Sequence, residues 1–212
     1  MGTSGGKYAS GTKNMNFELA RKPPHQNIAL IFLAAAFSAS AYALQPAAPV
    51  VPFAANGTLQ YAFTQEHHAD EMIIAAVDAA QRQVLMQAYS LTHRRIADAL
   101  VRARNRGIEV AVIADHQQSR ANPAIARDLV RAGVTVLLDA QHAAAHNKII
   151  VIDTGQADCA VITGSFNFSY AAQHRNAENA LILRGNPPLC DAYFNNWRRH
   201  QLHSRAFAAP RR

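Results

Sequence analysis

Between residues 83 and 139 the sequence alternates apolar runs of strand length with segments of helical length. The apolar runs are QVLMQAYS, IEVAVIAD and VTVLLD, at residues 83–90, 108–115 and 134–139. Nearly continuous apolar runs are typical of strands that are covered on both faces of a sheet. Helical apolar spacing predicts helices at residues 69–81, 94–106, 122–132 and 187–197, and further strands are predicted at residues 59–63, 159–165 and 179–184. This alternation predicts an α/β fold in which helices flank a central sheet.

The N-terminal segment has the layout of a secretory signal. Arg21 and Lys22 precede a ten-residue apolar run, which is followed by the small-residue sequence Ala41-Tyr42-Ala43. The run is shorter than the roughly 20 residues of a membrane span. We therefore expect a secreted or periplasmic protein with a cleavable signal, and an uncleaved anchor is the alternative.

These features divide the chain into four parts. Residues 1–43 form an N-terminal extension and signal, in which the signal covers about 15–43 and Met15 is an alternative start; residues 44–57 are a Pro/Ala-rich linker, 58–205 the main folded domain, and 206–212 a basic tail. The two cysteines, Cys159 and Cys190, can pair in an oxidising compartment, but the sequence leaves this open.

Charge gives a weak indication of the partner. The formal net charge is +7, which favours anionic partners such as nucleic acid or a membrane surface. The predicted helix 94–106 is rich in arginine, and two interpretations stay open. It is either a solvated surface or a contact for a phosphate backbone, and the second would give a steep salt dependence.

Three ionisable residues flank the apolar run in HNKIIVID, residues 146–153. His146 and Lys148 share a face because alternate residues of a strand point the same way, whereas Asp153 falls on the opposite face. A structural role for Asp153, bonded to nearby backbone, is favoured over direct catalysis. Downstream, TGSFNFS contains Ser165 and Asn167, two residues apart.

These residue types are suited to binding and cleaving a phosphodiester. Lys148 supplies positive charge for a non-bridging oxygen, and Ser165 and Asn167 supply neutral hydrogen-bond donors. His146 can act as nucleophile or general acid because its ordinary pKa is near neutrality. Glu178, in the sequence NAEN, can accept a hydrogen bond from the second ring nitrogen and fix the tautomer.

A metal site is not predicted. His142 and His146 have a spacing used for metal ligands on a helix. The residues after His146 form a predicted strand, however, and no carboxylate or cysteine is spaced with this pair. The sequence therefore predicts no metal and no cofactor.

The motifs resemble the phospholipase D superfamily. HNKIIVID matches its HxKxxxxD signature, GSFN its GSxN element, and NAEN the segment that bears the glutamate. Residues 84–115 are also similar to the segment before the motif in small bacterial endonucleases of this superfamily, and the resemblance covers about residues 58–200. Ten residues separate Asp153 from Gly164, more than is usual in the family, which predicts a longer hairpin turn.

The resemblance implies a phospholipase D-like sandwich, with a mixed central β-sheet flanked by helices and one domain per chain. It implies a metal-independent endonuclease that acts on DNA, with RNA as a further substrate, through a phosphohistidine. The implied site comprises His146, Lys148 and Glu178 with Asp153 of the signature as catalytic residues, and Lys148, Ser165 and Asn167 as phosphate ligands.

Family members use two HxK elements, and this chain has one. The resemblance therefore implies a homodimer in which His146 of each subunit contributes to one composite site. Two alternatives remain. One is a phospholipase D-type hydrolase of phosphatidyl esters, and the other is an inactive nucleic-acid-binding module.

Overall fold

The computed structural model describes residues 50, 52, 54 and 56–208, so the predicted signal peptide lies outside the described residues. The strands are β1 (Thr58–Phe63), β2 (Gln83–Ala88), β3 (Glu109–Asp115), β4 (Thr135–Asp139), β5 (Lys148–Ile152), β6 (Ala160–Gly164), β7 (Asn179–Arg184) and β8 (Arg205–Ala206). The helices are α1 (Ala69–Ala79), α2 (Arg94–Asn105), α3 (His116–Ala121), α4 (Ala124–Arg131), α5 (Tyr170–His174) and α6 (Pro187–His203).

All eight strands form one mixed sheet. Its order is β1-β7-β6-β5-β2-β3-β4-β8. The neighbours β2, β3 and β4 pair in parallel, and the other pairs are antiparallel. The predicted fold class, a mixed sheet flanked by helices, is confirmed.

Helices cover both faces of the central strands, which explains their continuous apolar sequences. On one face, β2 places Met86 in the larger core cluster with residues of α1, α2 and α4 such as Ile73 and Leu100. On the other face, Leu85 packs with Trp197 of α6. The Trp197 Nε1–H also donates to the Met86 carbonyl at 3.1 Å, which joins α6 to the middle of the sheet.

The folded C-terminal part is longer than the apolar pattern predicts. Helix α6 continues beyond the predicted end at Trp197 to His203. The prediction ended too early because the last turns are polar and have no apolar periodicity. Ala206 then pairs with Leu137 of β4, and Phe207 packs against the larger core cluster. The folded domain therefore extends slightly beyond the predicted boundary at residue 205.

A disulfide joins Cys159, the residue before β6, to Cys190 in the first turn of α6. Both cysteines are buried in a small cluster with Val161. The sequence left this pairing open, and the structure forms it. Among the helices described in residues 56–208, none combines the length and apolarity needed to cross a membrane.

Candidate active site

The first wall of the candidate site is the loop that enters β5. His146 and Asn147 precede the strand, and Lys148 is its first residue. The Asn147 carbonyl accepts a hydrogen bond from the Tyr89 backbone N–H at 3.0 Å, which fixes this loop beside the end of β2. Together with the end of β6, Glu178 just before β7, and Tyr193 of α6, the loop lines an open cleft of about 600 Å³.

His146 and Lys148 contact each other in this cleft, as the sequence predicts. The Lys148 Nζ lies 3.1 Å from His146 Nδ1 and donates to the His146 carbonyl at 2.7 Å. A lysine ammonium has donors only, so this contact requires an unprotonated Nδ1. The proton of a neutral His146 ring is then on Nε2.

Lys148 is unusually enclosed for a cation, with 8% of its surface exposed. Its Nζ lies 4.9 Å from the centre of the Tyr89 ring, a cation–π distance. Burial lowers the pKa of Lys148, and the negative charge of Glu178 opposes this effect. A phosphate group in the cleft would supply the missing counter-charge.

Tyr89 is a site residue that the sequence analysis missed. Its ring lies 4.3 Å from the His146 ring, centre to centre, and its hydroxyl accepts from Gln118 Nε2 at 3.2 Å. Tyr89 directly follows β2, next to which β5 begins. The sequence feature that could have identified Tyr89 is its position directly after a buried strand, because ligand sites of α/β folds commonly form at the carboxyl ends of strands.

The opposite wall begins at Gly164, the last residue of β6. Gly164 has φ of 151°, and a Cβ atom there would collide with the Asn179 carbonyl of β7. Ser165 is exposed, and its Oγ accepts from the Asn179 backbone N–H at 3.0 Å. Because that oxygen already accepts, its hydrogen is available for a substrate oxygen.

Asn167 also lines the cleft. Its Oδ1 is buried and has no hydrogen-bond partner among the residues that the structure describes. Buried polar atoms are normally paired, and unpaired ones often mark functional positions. The structure thus brings together His146, Lys148, Ser165 and Asn167, as predicted.

Glu178 faces the same cleft but does not contact His146 within the chain. Its backbone is held by Thr64, whose Oγ1 accepts from the Glu178 N–H at 2.8 Å and whose N–H donates to the Glu178 carbonyl at 3.0 Å. Its carboxylate accepts from Asn176 Nδ2 at 3.0 Å. No Glu178–His146 hydrogen bond is present in the described residues, so the predicted pairing is not made by one chain.

Asp153 lies at the far end of β5, outside the cleft. Its carboxylate accepts three backbone N–H bonds, from Gln81 at 2.9 Å and from Arg82 and Gln83 at 2.8 Å each. Its φ of 52° is left-handed, which aspartate tolerates better than most residues. Asp153 therefore fixes the entry of β2 against β5, and its inclusion among the catalytic residues is corrected to the structural role.

Two other candidate features have structural explanations. The motif segment TGSFNFS also contains two aromatic rings, a residue type that can stack on bases, but Phe166 and Phe168 are 2% and 1% exposed and therefore belong to the core. The arginines of α2 are largely paired, as in the contacts Arg94–Asp128, Arg95–Glu71 and Arg102–Asp78. Pairing reduces the positive field of this helix, which favours the solvated-surface interpretation.

The family follows from comparison with known sequences. A family model described as "Cardiolipin synthase, PLD-like domain" matches residues 73–200, which is more than half of the chain. The chain therefore belongs to the phospholipase D-like family, and members of this superfamily are phosphodiester hydrolases. The recognition made from the HxKxxxxD and GSxN motifs is confirmed.

Similar proteins with known names carry two different names. "Phospholipase D" of Rickettsia conorii is 36% identical over 135 residues, covering 64% of this chain and 65% of the relative. "Mitochondrial cardiolipin hydrolase" of Xenopus tropicalis is 32% identical over 103 residues, covering 49% and 47%. The chain thus spans just under two thirds of the Rickettsia protein and about half of the Xenopus protein.

A solved structure supports the same fold. Nuc, a phospholipase D family member from Salmonella typhimurium, superposes with a TM-score of 0.68 and 29% sequence identity. The match covers 73% of this chain and all of that one.

Proposed function

We propose that the protein is a metal-independent phosphodiesterase, and that it acts as an endonuclease on DNA and also on RNA. The proposal rests on one observation above all. The enclosed Lys148 ammonium lies 3.1 Å from the His146 ring, in a cleft whose other wall presents Ser165 and Asn167. A cation, neutral donors and a nucleophile thus converge where a phosphate can bind.

The chemistry runs in two displacements. The Nε2 of one His146 attacks phosphorus and forms a P–N bond, while a second histidine gives a proton to the departing ester oxygen. That second histidine then accepts a proton from water, and the water oxygen attacks phosphorus and breaks the P–N bond. Lys148, Ser165 and Asn167 hold the non-bridging oxygens and stabilise the charge that develops on them.

One chain offers a single His146, so we propose a homodimer with a composite site. Attack through Nε2 requires the proton on Nδ1 and an acceptor for it. Within the chain, Nδ1 faces Lys148, and Glu178 is bonded to Asn176. An arrangement that turns the ring toward Glu178 of the partner subunit supplies this acceptor, and a two-fold axis supplies the second histidine.

An apolar stripe beside the cleft supports subunit contact at this place. Leu59, Tyr61 and Phe63 alternate along the edge strand β1, share one face and are each about half exposed. Phe63 pairs with Asn179, the residue after Glu178. Exposed apolar surface of this kind is typical of protein or membrane contacts. A second copy that covers the stripe would place its own site residues near this cleft.

The same stripe is the observation that favours the alternative function. If it faces a lipid surface instead of a second subunit, the site would act on phosphatidyl esters, as the names of the Rickettsia and Xenopus relatives indicate for those proteins. The polar part of the cleft lining, with Lys148, Ser165 and Asn167, suits the phosphodiester group that both substrate classes share, so the substrate comparison below decides between them.

The deciding experiment compares substrates in excess EDTA. Plasmid DNA, RNA, and phosphatidylcholine or cardiolipin vesicles are incubated in parallel with the wild type, with His146→Ala, and with His68→Ala as an exposed control. We expect nuclease activity that EDTA leaves intact at 20 °C, that His146→Ala abolishes and that His68→Ala retains. Turnover of vesicles alone would replace the nuclease by the phospholipase, and equal activity of His146→Ala would refute the site.

The dimer is tested separately. Tyr61→Asp should shift the protein toward monomer in analytical ultracentrifugation and lower its activity, whereas Tyr170→Asp, at a tyrosine of equal exposure, should leave the oligomeric state unchanged. Mixed dimers with one His146→Ala subunit should be inactive. Half activity in the mixed dimer, or full activity of a monomer, would refute the composite site.

We also propose export to an oxidising compartment. The disulfide between Cys159 and Cys190 supports this proposal, because such bonds persist mainly outside the reducing cytosol. Fractionation of cells that express the full chain tests it. Retention in the cytosol as the reduced, unprocessed form would refute it.

A further inference from the structure

A cluster of three histidines and one aspartate lies where β4 ends, beside the last turn of α6. Asp139 ends β4, His142 follows it in a turn, and His200 and His203 occupy the last turn of α6. One ligand atom from each of the four residues lies within 4.8 Å of every other. Neither the family signature nor the proposed reaction uses any of them.

The ring nitrogens converge on a single oxygen. His200 Nδ1 lies 2.7 Å from Asp139 Oδ2, and His142 Nδ1 and His203 Nε2 each lie 3.1 Å from it. The Asp139 side chain is completely buried, so these histidines provide most of its polar surroundings. Three imidazole nitrogens around one carboxylate oxygen form the donor set of a divalent transition metal.

We propose that these four residues, Asp139, His142, His200 and His203, bind one Zn²⁺ ion in a structural site. Four protein ligands complete a tetrahedron, which is the closed arrangement of structural zinc. Zinc–nitrogen bonds of about 2.0–2.1 Å place tetrahedral ligands roughly 3.3 Å apart, so the largest separation must contract and the 2.7 Å contact between His200 Nδ1 and Asp139 Oδ2 must lengthen. The partly exposed His142 and His203 can make this change by side-chain rotation, without movement of β4.

The chain positions explain what the ion would do. His200 and His203 are three residues apart, so they project from the same face of α6. An ion shared with Asp139 would join the C-terminal helix to the sheet. It would also fix His142, which lies four residues before His146. The other end of this loop is already held, because the Ala145 N–H donates to Asp115 Oδ2 at 2.9 Å.

This site has no sequence signature because its ligands come from segments about 60 residues apart. The spacing of His142 and His146 alone points to no partner carboxylate. In the structure the partner is Asp139, three residues earlier, with the two helical histidines. The site therefore lies outside the chemistry proposed above, in which no step requires a metal.

The test uses full-length, tag-free protein stripped with EDTA and titrated with Zn²⁺ alone. We expect one ion per chain by calorimetry and elemental analysis, and a rise in Tm on binding. Co²⁺ should give the visible absorption bands of tetrahedral coordination, whereas Mg²⁺ and Ca²⁺ should not raise the Tm. Failure of the wild type to bind Zn²⁺, or binding without a change in Tm, would overturn the proposal.

Variants separate the metal from the hydrogen bonds. His203→Gln keeps an amide donor toward Asp139, so the metal-free protein should retain its Tm, while the Kd for Zn²⁺ should rise more than about 100-fold because loss of a ligand exceeds loss of an outer-shell partner. His68→Gln, a distant exposed histidine, should bind like the wild type. Unchanged zinc affinity in both His203→Gln and His200→Gln would show that the ion lies elsewhere.

The nuclease assay distinguishes this proposal from the proposed function. At 20 °C the metal-free wild type and His203→Gln should keep their initial rates, because the cleft residues are intact in both. Zinc binding with no hydrolysis of any substrate would refute the function but not the site. Hydrolysis without zinc binding would refute the zinc site but not the proposed function.

Discussion

Replacing Asp153 with alanine tests whether this residue of the HxKxxxxD signature has a structural or a catalytic role. The side chain accepts three backbone N–H bonds at 2.8–2.9 Å. Two of the donors belong to exposed residues that can bind water after the change, so we assign about 1 kcal/mol to each bond, less than the roughly 1.5–3 kcal/mol of a bond to a charged group. A Cβ residue held at φ of 52° adds about 1 kcal/mol. The expected loss is about 4 kcal/mol.

Asp153→Asn is the matched control. It keeps one carbonyl oxygen and the tolerance for left-handed backbone, and it loses the charge and one acceptor. We expect a loss of about 1.5 kcal/mol. Equilibrium urea unfolding at neutral pH measures both changes.

Activity gives the second readout. Asp153 lies roughly 20 Å from His146 along β5, at about 3.3 Å per residue. Once corrected for the folded fraction at low temperature, kcat/KM of both variants should equal that of the wild type. A variant with near-normal stability but with activity as low as His146→Ala would refute the structural role.

Three further predictions concern the fold and the cleft. Reduction of the Cys159–Cys190 disulfide, which closes a separation of 31 residues, should lower the free energy of unfolding by about 3.7 kcal/mol. Urea curves with and without dithiothreitol measure this, and coincident curves would contradict it. Because burial lowers the pKa of Lys148, the cation is lost earlier as pH rises, so kcat/KM should fall with a midpoint below the ordinary lysine value of about 10.4; a midpoint at or above that value counts against the enclosed cation. Gly164→Ala places a Cβ against the carbonyl of β7 and should cost about 2–3 kcal/mol and reduce activity, whereas Gly155→Ala, with open space around it, should cost only about 1 kcal/mol. Equal costs in thermal unfolding would refute the steric argument.

Apolar periodicity predicted most of the fold because the central strands are buried on both faces. It failed where structure depends on polar contacts. Helix α3 begins because the Asp115 carboxylate accepts from the Gln118 N–H at 2.8 Å, a cap that no apolar pattern reveals. The last turns of α6 face Asp139 through histidines, so they too lack an apolar signal.

The candidate site shows a similar limit. The motif spacing was sufficient to bring His146 and Lys148 together with Ser165 and Asn167, because adjacent strands place these segments side by side. Tyr89 was not predictable from any motif, since its role depends on the register of β2 against β5. The insertion between Asp153 and Gly164 forms the predicted longer turn, and Ile152 still pairs with Ala160.

Helix α6 is held to the sheet near both of its ends. The disulfide holds its first turn, the histidines around Asp139 hold its last turn, and Trp197 packs between them. Terminal helices ordinarily fray, exchange their amide hydrogens early and offer a protease its first cleavage site. Here fraying from either end requires a bond to open first. The backbone amides of α6 should therefore exchange together with those of the central strands, and limited proteolysis should leave α6 uncut.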